Sequence, residues 1–414
     1  MRASRLVVVA GIAAAGLALA ACSSGGSGGG SGDTGGRGPI TYVQGKDNNN
    51  IIRPLIDKWN ADHPKEKVTF KEQSDKADQQ HDDLVQHFQA KSSDYDVVDV
   101  DVVWTAEFAA KGWLTPLEGS LKIDTAKLLP ATVATGTYND KLYAAPQSSD
   151  GGLLYYRSDL VPTPPTSWDE MMKDCDIAKT NGMNCYAGQL AQYEGLTVNA
   201  SEAINGAGGT VVDAKGKPTL TTDDAAKGLD QLVQGVKDGN IPKEVLTFQE
   251  EQGRTAFEAG KYLFMRNWPY AYSLATTDAT SVVKDKFKVA PLVSASTLGG
   301  HNAAISAYSK NKATAHEFLE FLESNETQTY FAQKGSLAPV VASLYDDPEL
   351  VKQLPYLPTL KESILKAVPR PVTPFYPAVT KAIQDNAYAA LKGTDGTKDA
   401  LDNMQKAIES ATAG

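Results

Sequence analysis

An α/β fold divided into two or three domains is predicted by three observations. Short apolar runs alternate with stretches of helical periodicity from residue 40 onward. A mostly apolar run at 96–104 carries Asp residues along its length, as a buried parallel strand does where its carboxyl end reaches a crevice. The 414 residues supply two or three domains at roughly 100 to 200 residues each.

The elements follow in order. Residues 40–43 read as a strand, 50–62 as a helix with Ile51, Leu55, Ile56 and Trp59 on one side, and 68–72 as a strand, which makes a βαβ opening. A polar helix at 78–89 precedes the strand at 96–104, where Asp99 and Asp101 share a face by the period of two. Asp101, beside Trp104 at the strand's end, reads as a ligand contact and Asp99 as a weaker one; the competing reading for both is a solvated strand end. In 143–157, polar residues 147–152 interrupt two apolar pieces, and Gly151-Gly152 permits the backbone geometry of a crossing between domains. Asp150, in the middle of that crossing, suits a ligand contact, a turn or a helix cap.

From Trp168 to Gly239 the pattern gives helices and short strands, with a small hairpin at 211–220 turning at Lys215-Gly216, and 248–260 is helical. The run Phe264-Met265-Arg266-Asn267-Trp268-Pro269-Tyr270-Ala271-Tyr272 sets four aromatics, an Arg and an amide around a bend, because Pro269 disfavours the helical region for Trp268. Flat rings cover the C–H face of a sugar while amides, carboxylates and Arg bond its hydroxyls, so the run suits a saccharide; a core turn with both rings buried is the alternative. Gly299-Gly300-His301-Asn302 then leads into residues 304–306, and 313–322 is a strongly amphipathic helix. Near the end, Arg370 lies between two prolines in an extended stretch, 368–377, whose Phe375 and Tyr376 are poor choices for an exposed linker.

The amino terminus has a different character. Arg2 and Arg5 precede an apolar run at 6–20 that ends in small residues, so 1–21 reads as a secretory signal, too short for a comfortable membrane span; an uncleaved anchor helix is the alternative. Leu19-Ala20-Ala21-Cys22 resembles the bacterial lipoprotein cleavage motif, which makes Cys22 the expected lipidated residue and 22–38, rich in Gly and Ser, a flexible tether. Loss of Arg2 and Arg5 takes the formal charge from −10 to −12, which argues against a nucleic acid or an anionic surface as partner. In an exported chain the two remaining cysteines, Cys175 and Cys185, read as one disulfide, with no His near enough to complete a zinc shell. The five His residues form no metal motif, and there is neither a Gly-rich phosphate loop nor a Gly-x-Ser-x-Gly elbow, so no metal and no cofactor are expected.

Several ordered stretches share one likeness. Asp101-Val-Val-Trp104 with Phe108 and Gly112–Leu117, Asp150–Arg157, Gln192–Leu196, Arg266–Tyr270, Thr297–Gly300 and Val368–Pro371 together resemble the extracellular solute-binding proteins of carbohydrate ABC importers, most closely the trehalose/maltose-binding lipoproteins. The resemblance implies a two-lobe periplasmic-binding-protein-like fold with a hinge and an interlobe ligand cleft: residues 39–146 with 303–344 in the first lobe, 147–302 with 345–414 in the second. It implies ligand contacts at Asn48, Asn49, Asp101, Asp150, Trp268, Tyr270, Gly299, Gly300 and Arg370. Two departures fall in the same pocket: Gln80 lies where similar proteins carry an Arg, and His301 where a Trp often follows the Gly pair.

The expected function is capture of an α-glucosidic disaccharide of trehalose or maltose type by a non-enzymatic receptor. Its expected partners are the transmembrane subunits of an ABC permease, to which it delivers the sugar. The protein would be a monomer outside the cytoplasm, lipid-anchored to the cell membrane. The alternatives are another glucoside (sucrose, glucosylglycerol or a longer oligosaccharide), a sugar-binding adhesin or sensor ectodomain, and an extracellular glycosidase using two cleft carboxylates such as Asp101 and Asp150.

Overall fold

The computed structural model describes residues 36–412. The expected signal at 1–21, Cys22 and all but the last three residues of the tether at 22–38 lie outside the described residues.

Among the described residues the strands are, in chain order, β1 (Ile40–Gln44), β2 (Val68–Glu72), β3 (Val97–Asp101), β4 (Thr137–Tyr138), β5 (Lys141–Leu142), β6 (Ala144–Gly151), β7 (Leu153–Arg157), β8 (Asn184–Ala187), β9 (Tyr262–Asn267), β10 (Phe287–Pro291), β11 (Thr297–Ile305) and β12 (Val368–Pro369). They form two main sheets. The first has the order β12-β11-β3-β1-β2, with β6 also paired to β11; the second has the order β10-β7-β9-β8. β1 is parallel to both β2 and β3, as the βαβ opening requires, whereas β11 runs antiparallel to β3 and β6.

The central strands β1 and β3 bury side chains on both faces, so both faces of the first sheet are covered there. Tyr42, Val97 and Ile305 point to one side, where they meet Leu55, Ile56 and Trp59 of helix Ile52–Asp62 and Phe318 and Leu319 of helix Lys312–Leu322. Val43, Val98, Val100 and Ala304 point to the other, against Leu84, Phe88, Phe108 and Trp113. The second sheet has its own core, in which Tyr155, Leu263, Phe264 and Met265 pack with Leu196 and Leu229 from helices Glu194–Gly206 and Asp223–Lys237. Each of these aliphatic and aromatic side chains contributes about 1.5–3 kcal/mol when fully buried.

Three local expectations are corrected. The strand expected at 96–104 stops at Asp101, because the Trp104 N–H donates to the Asp101 carbonyl (2.9 Å) and turns the chain into helix Thr105–Ala110. The polar residues 147–152, expected to interrupt two apolar pieces, do not break β6: Gln147, Ser148 and Ser149 are buried within it, where Ser148 and Ser149 pair with β11, the Gln147 carbonyl accepts from the Gln328 amide (2.8 Å) and the Ser149 N–H donates to the Ala338 carbonyl (2.9 Å). The change of sheet falls at Gly152, between β6 and β7, where space rather than backbone freedom requires glycine: a Cβ there would lie 2.7 Å from Leu292 and 3.0 Å from the Arg266 guanidinium. The hairpin expected at 211–220 is reduced to one bridge, Val212 with Pro218, around a turn in which the Asp213 carboxylate accepts from the Lys215 and Lys217 N–H groups.

Cys175, in helix Trp168–Thr180, and Cys185, in β8, are joined in a disulfide with their Cα atoms 5.0 Å apart. Among the described residues no helix is long and apolar enough to cross a membrane.

Candidate ligand-binding cavity

A cavity of about 220 Å³ lies among the loops that leave the two sheets. The loop after β1 brings Asn48 and Asn49 to it, and helix Ala77–Gln89 brings Gln80. Asp101 reaches it from the carboxyl end of β3, where a parallel strand delivers side chains to a crevice, and Asp150 from the end of β6. Trp268 and Tyr270 follow β9, Gly299, Gly300 and His301 lie in β11, and Arg370 follows β12. All the residues expected to contact ligand therefore line one cavity.

Trp268 stands against a charged support. Arg266, at 1 % exposure, places its guanidinium carbon 3.7 Å from the Trp268 ring centroid, which leaves the other side of the indole available to the cavity. The guanidinium is held in turn by two hydrogen bonds to the Glu202 carboxylate (2.6 and 2.9 Å) and one to Gln189 Oε1 (3.1 Å). Arg266, read from the sequence with the hydroxyl-binding groups, thus sits behind the ring and does not line the cavity. Tyr155 donates its hydroxyl proton to the Trp268 carbonyl (2.8 Å), which fixes the backbone of the bend. Gly299 lets the ring come close: a Cβ there would lie 2.9 Å from the indole, and at Gly300, with φ +120°, it would lie 2.4 Å from the Ser148 carbonyl. The Tyr270 hydroxyl donates to Glu251 (2.6 Å), which positions its ring.

The polar side of the cavity is a network of opposite charges. Arg370, 5 % exposed, donates to Asp101 Oδ1 (3.0 Å) and to Glu194 Oε1 (2.6 Å), and its buried Nε has no partner among the described residues. Glu194 also accepts from Tyr376 and from Thr380 (2.6 Å). Burial pushes the Glu194 carboxyl upward, and Arg370 opposes the shift. His301 Nδ1 lies 3.0 Å from Asp99 Oδ2. Burial pulls the imidazole down, but Asp99, with Asp101 and Asp150 behind it, overrides that effect and raises its pKa to about 10, so His301 is a cation at neutral pH. Among the described residues Asp150 has no side-chain ion pair; burial lifts it to about 7 against the pull of His301 and Arg266, and Asp101 adds to the rise.

Two expected contacts are partly engaged by protein. The Asn49 amide donates to Ser273 Oγ (2.6 Å) and to the Gly335 carbonyl (3.3 Å), and the Gln80 amide donates to the Ser74 carbonyl (2.7 Å). Asn48, in contrast, faces the cavity at intermediate exposure. Glu194 was missed in the sequence, although its stretch, Gln192–Leu196, carried the resemblance. An acid at the first turn of a helix reads as an ordinary favourable charge there, and only the fold brings it to Arg370. Asp99 lines the cavity as well, and its partner, His301, lies on another strand. Among the described residues no group of three or more His, Cys, Asp or Glu side chains is arranged to hold a metal ion.

Residues 44–329 match the family model described as bacterial extracellular solute-binding protein. The chain belongs to that family. Over 342 residues it is 34 % identical to a Deinococcus radiodurans protein named "Probable ABC transporter-binding protein", a match spanning 77 % of this chain and 80 % of that one. Among solved structures this solute-binding protein is similar to maltose-bound MalE3 of T. maritima, at 32 % identity and a TM-score of 0.86 over 90 % of this chain and 99 % of that one. The GacH receptor of Streptomyces glaucescens, at 24 % identity, has a TM-score of 0.83 over 91 % and 99 % of the two chains and shares the fold. The architecture is the mixed α/β two-lobe fold of these maltose-binding-protein-like structures.

Proposed function

We propose that the protein captures an α-glucosidic disaccharide of trehalose or maltose type and delivers it to an ABC permease without chemical change. The observation that carries this reading is the pairing, in one cavity, of an aromatic surface on Trp268 and Tyr270 with acceptors on Asp101 and Asp150 and donors on His301 and Arg370. An aromatic face suits the C–H side of a pyranose, and the charged rim suits its hydroxyls. The maltose in the T. maritima relative supports the sugar class. The substitutions of Gln80 and His301 favour testing other glucosides, such as sucrose or glucosylglycerol, beside trehalose and maltose.

In this reading Asn48, Asn49 and Gln80 reach the sugar from the side of the first sheet. Gly299 and Gly300 let it approach the β11 backbone. The lobes divide as 39–146 with 303–344 and 147–302 with 345–414. Cys22 carries a lipid that holds the monomeric receptor at the outer face of the cell membrane, beside the permease subunits that receive the sugar.

Calorimetric titration of the purified protein with trehalose, maltose, sucrose and glucosylglycerol, with each mixture assayed for free glucose, tests the proposal. Binding of a disaccharide without glucose release is expected. Glucose release would instead establish a glycosidase, and silence across the panel would place the ligand outside this group.

A further inference from the structure

The loop after β1 and the aromatic turn after β9 belong to different sheets, yet one hydrogen-bond chain joins them directly. Asn49 donates from Nδ2 to Ser273 Oγ (2.6 Å), and Ser273 passes its own proton to the Tyr270 carbonyl (3.1 Å). The Gly335 carbonyl, 3.3 Å from the same Nδ2, can only accept, which fixes the amide with its nitrogen toward both acceptors. Ser273 lies in helix Ala271–Thr277, seated in the second core through Ala271 and Ala275, whereas Asn49 follows β1, whose Ile40 and Tyr42 belong to a core of the first sheet. Ser273 is 9 % exposed and does not line the cavity.

We propose that Ser273 is a positioning residue for ligand capture: by receiving Asn49 it ties the first sheet's loop to the Tyr270 turn and holds the cavity shut around a ligand it never touches. This inference rests on the proposed function, because holding the cavity shut raises affinity only if a ligand occupies it.

A second bridge joins the same two sides. The Asp78 carboxylate, at the start of helix Ala77–Gln89, accepts from the Glu194 N–H (3.3 Å) at the first turn of helix Glu194–Gly206, whose own cap residue Tyr193 makes no side-chain cap bond. The protein thus contributes its own contacts to closure, and the ligand does not hold the two sides together alone. Part of the affinity is then decided by residues outside the ligand's reach, and the contact is lost whenever the two sides separate.

The test is a double-mutant cycle on the full chain, read by calorimetry and by stopped-flow dissociation with whichever panel sugar the wild type binds. Ser273→Ala retains a good helix former and is expected to weaken affinity about 3- to 10-fold, mainly through faster dissociation, with the circular dichroism spectrum retained. In an Asn49→Ala background the same substitution should have no further effect. Wild-type affinity in Ser273→Ala, or an equal loss in both backgrounds, overturns the inference while leaving the sugar receptor standing. Failure of the wild type to bind any panel sugar contradicts the proposed function and removes this inference with it.

Discussion

Trp268 is braced on one side by Arg266 and available to ligand on the other. Trp268→Ala removes the stacking surface without opening a core, since the ring is only partly buried. Sugar affinity is expected to fall about 10- to 100-fold, roughly 1.4–2.8 kcal/mol, with the circular dichroism spectrum retained. Loss of the fold instead would make the ring a packing residue. The charged pair in the cavity wall titrates. His301 has its pKa raised from 6.5 to about 10, so its pairing with Asp99 contributes stability that is complete below about pH 6.5 and is lost as pH rises through about 10. Thermal unfolding followed across that window should decline in the wild type and stay flatter in His301→Gln; parallel curves would refute the pairing. Asp150 is raised from 3.8 to about 7, and a sugar hydroxyl donating to it favours the carboxylate. Affinity should therefore rise between about pH 5 and about pH 8, a rise that Asp150→Asn removes. At this scale the sequence made residue chemistry legible and pairing illegible. Asp101 could be read from its place at a strand end, but Glu194 and Arg370 are 176 residues apart, and an ion pair at that separation leaves no periodic trace.

The element that organises the cavity is β9 with the bend after it. Its strand buries Arg266 against Glu202 as a doubly bonded ion pair and ends by presenting Trp268. Removing one partner leaves the other buried and uncompensated, so Arg266→Ala is expected to cost about 3–5 kcal/mol in denaturant unfolding and to weaken sugar binding by freeing the indole. Unchanged stability would contradict the brace. The bend itself was legible, because Pro269 excludes the helical region for Trp268; the role of Arg266 was not, since nothing local shows which way a strand residue points. The polar stretch at 147–152 does contain the crossing between sheets, at Gly152, but its first residues belong to β6. Gln147, Ser148 and Ser149 look like a break in an apolar pattern, but β11 pairs with Ser148 and Ser149, the Gln328 amide bonds the Gln147 carbonyl, and the cavity accommodates the Gln147 and Ser148 side chains. The disulfide ties helix Trp168–Thr180 to β8, away from the cavity lining. Reduction is expected to lower stability by up to about 2–3 kcal/mol while leaving sugar affinity unchanged, which thermal unfolding and calorimetry of the reduced protein would check.

Across the whole molecule, two sheets with separate cores meet around one cavity, and each supplies a different part of its chemistry. The first sheet contributes Asp101, Asp99 and His301; the turn after β9 in the second contributes the aromatic surface. The alternation of strands and helices was legible because periodicity is a local property. The ordering β12-β11-β3-β1-β2, with β6 on β11, was not, because it depends on β11 pairing with β3 and β6, each more than a hundred residues away in the chain. The most direct test of the account is a crystal structure of the protein with the disaccharide that binds it most tightly. One pyranose ring is expected against the face of Trp268 opposite Arg266, with its hydroxyls within hydrogen-bonding distance of Asp101 and Asp150. A sugar bound elsewhere, or a Trp268 face left uncovered in the complex, would contradict the account.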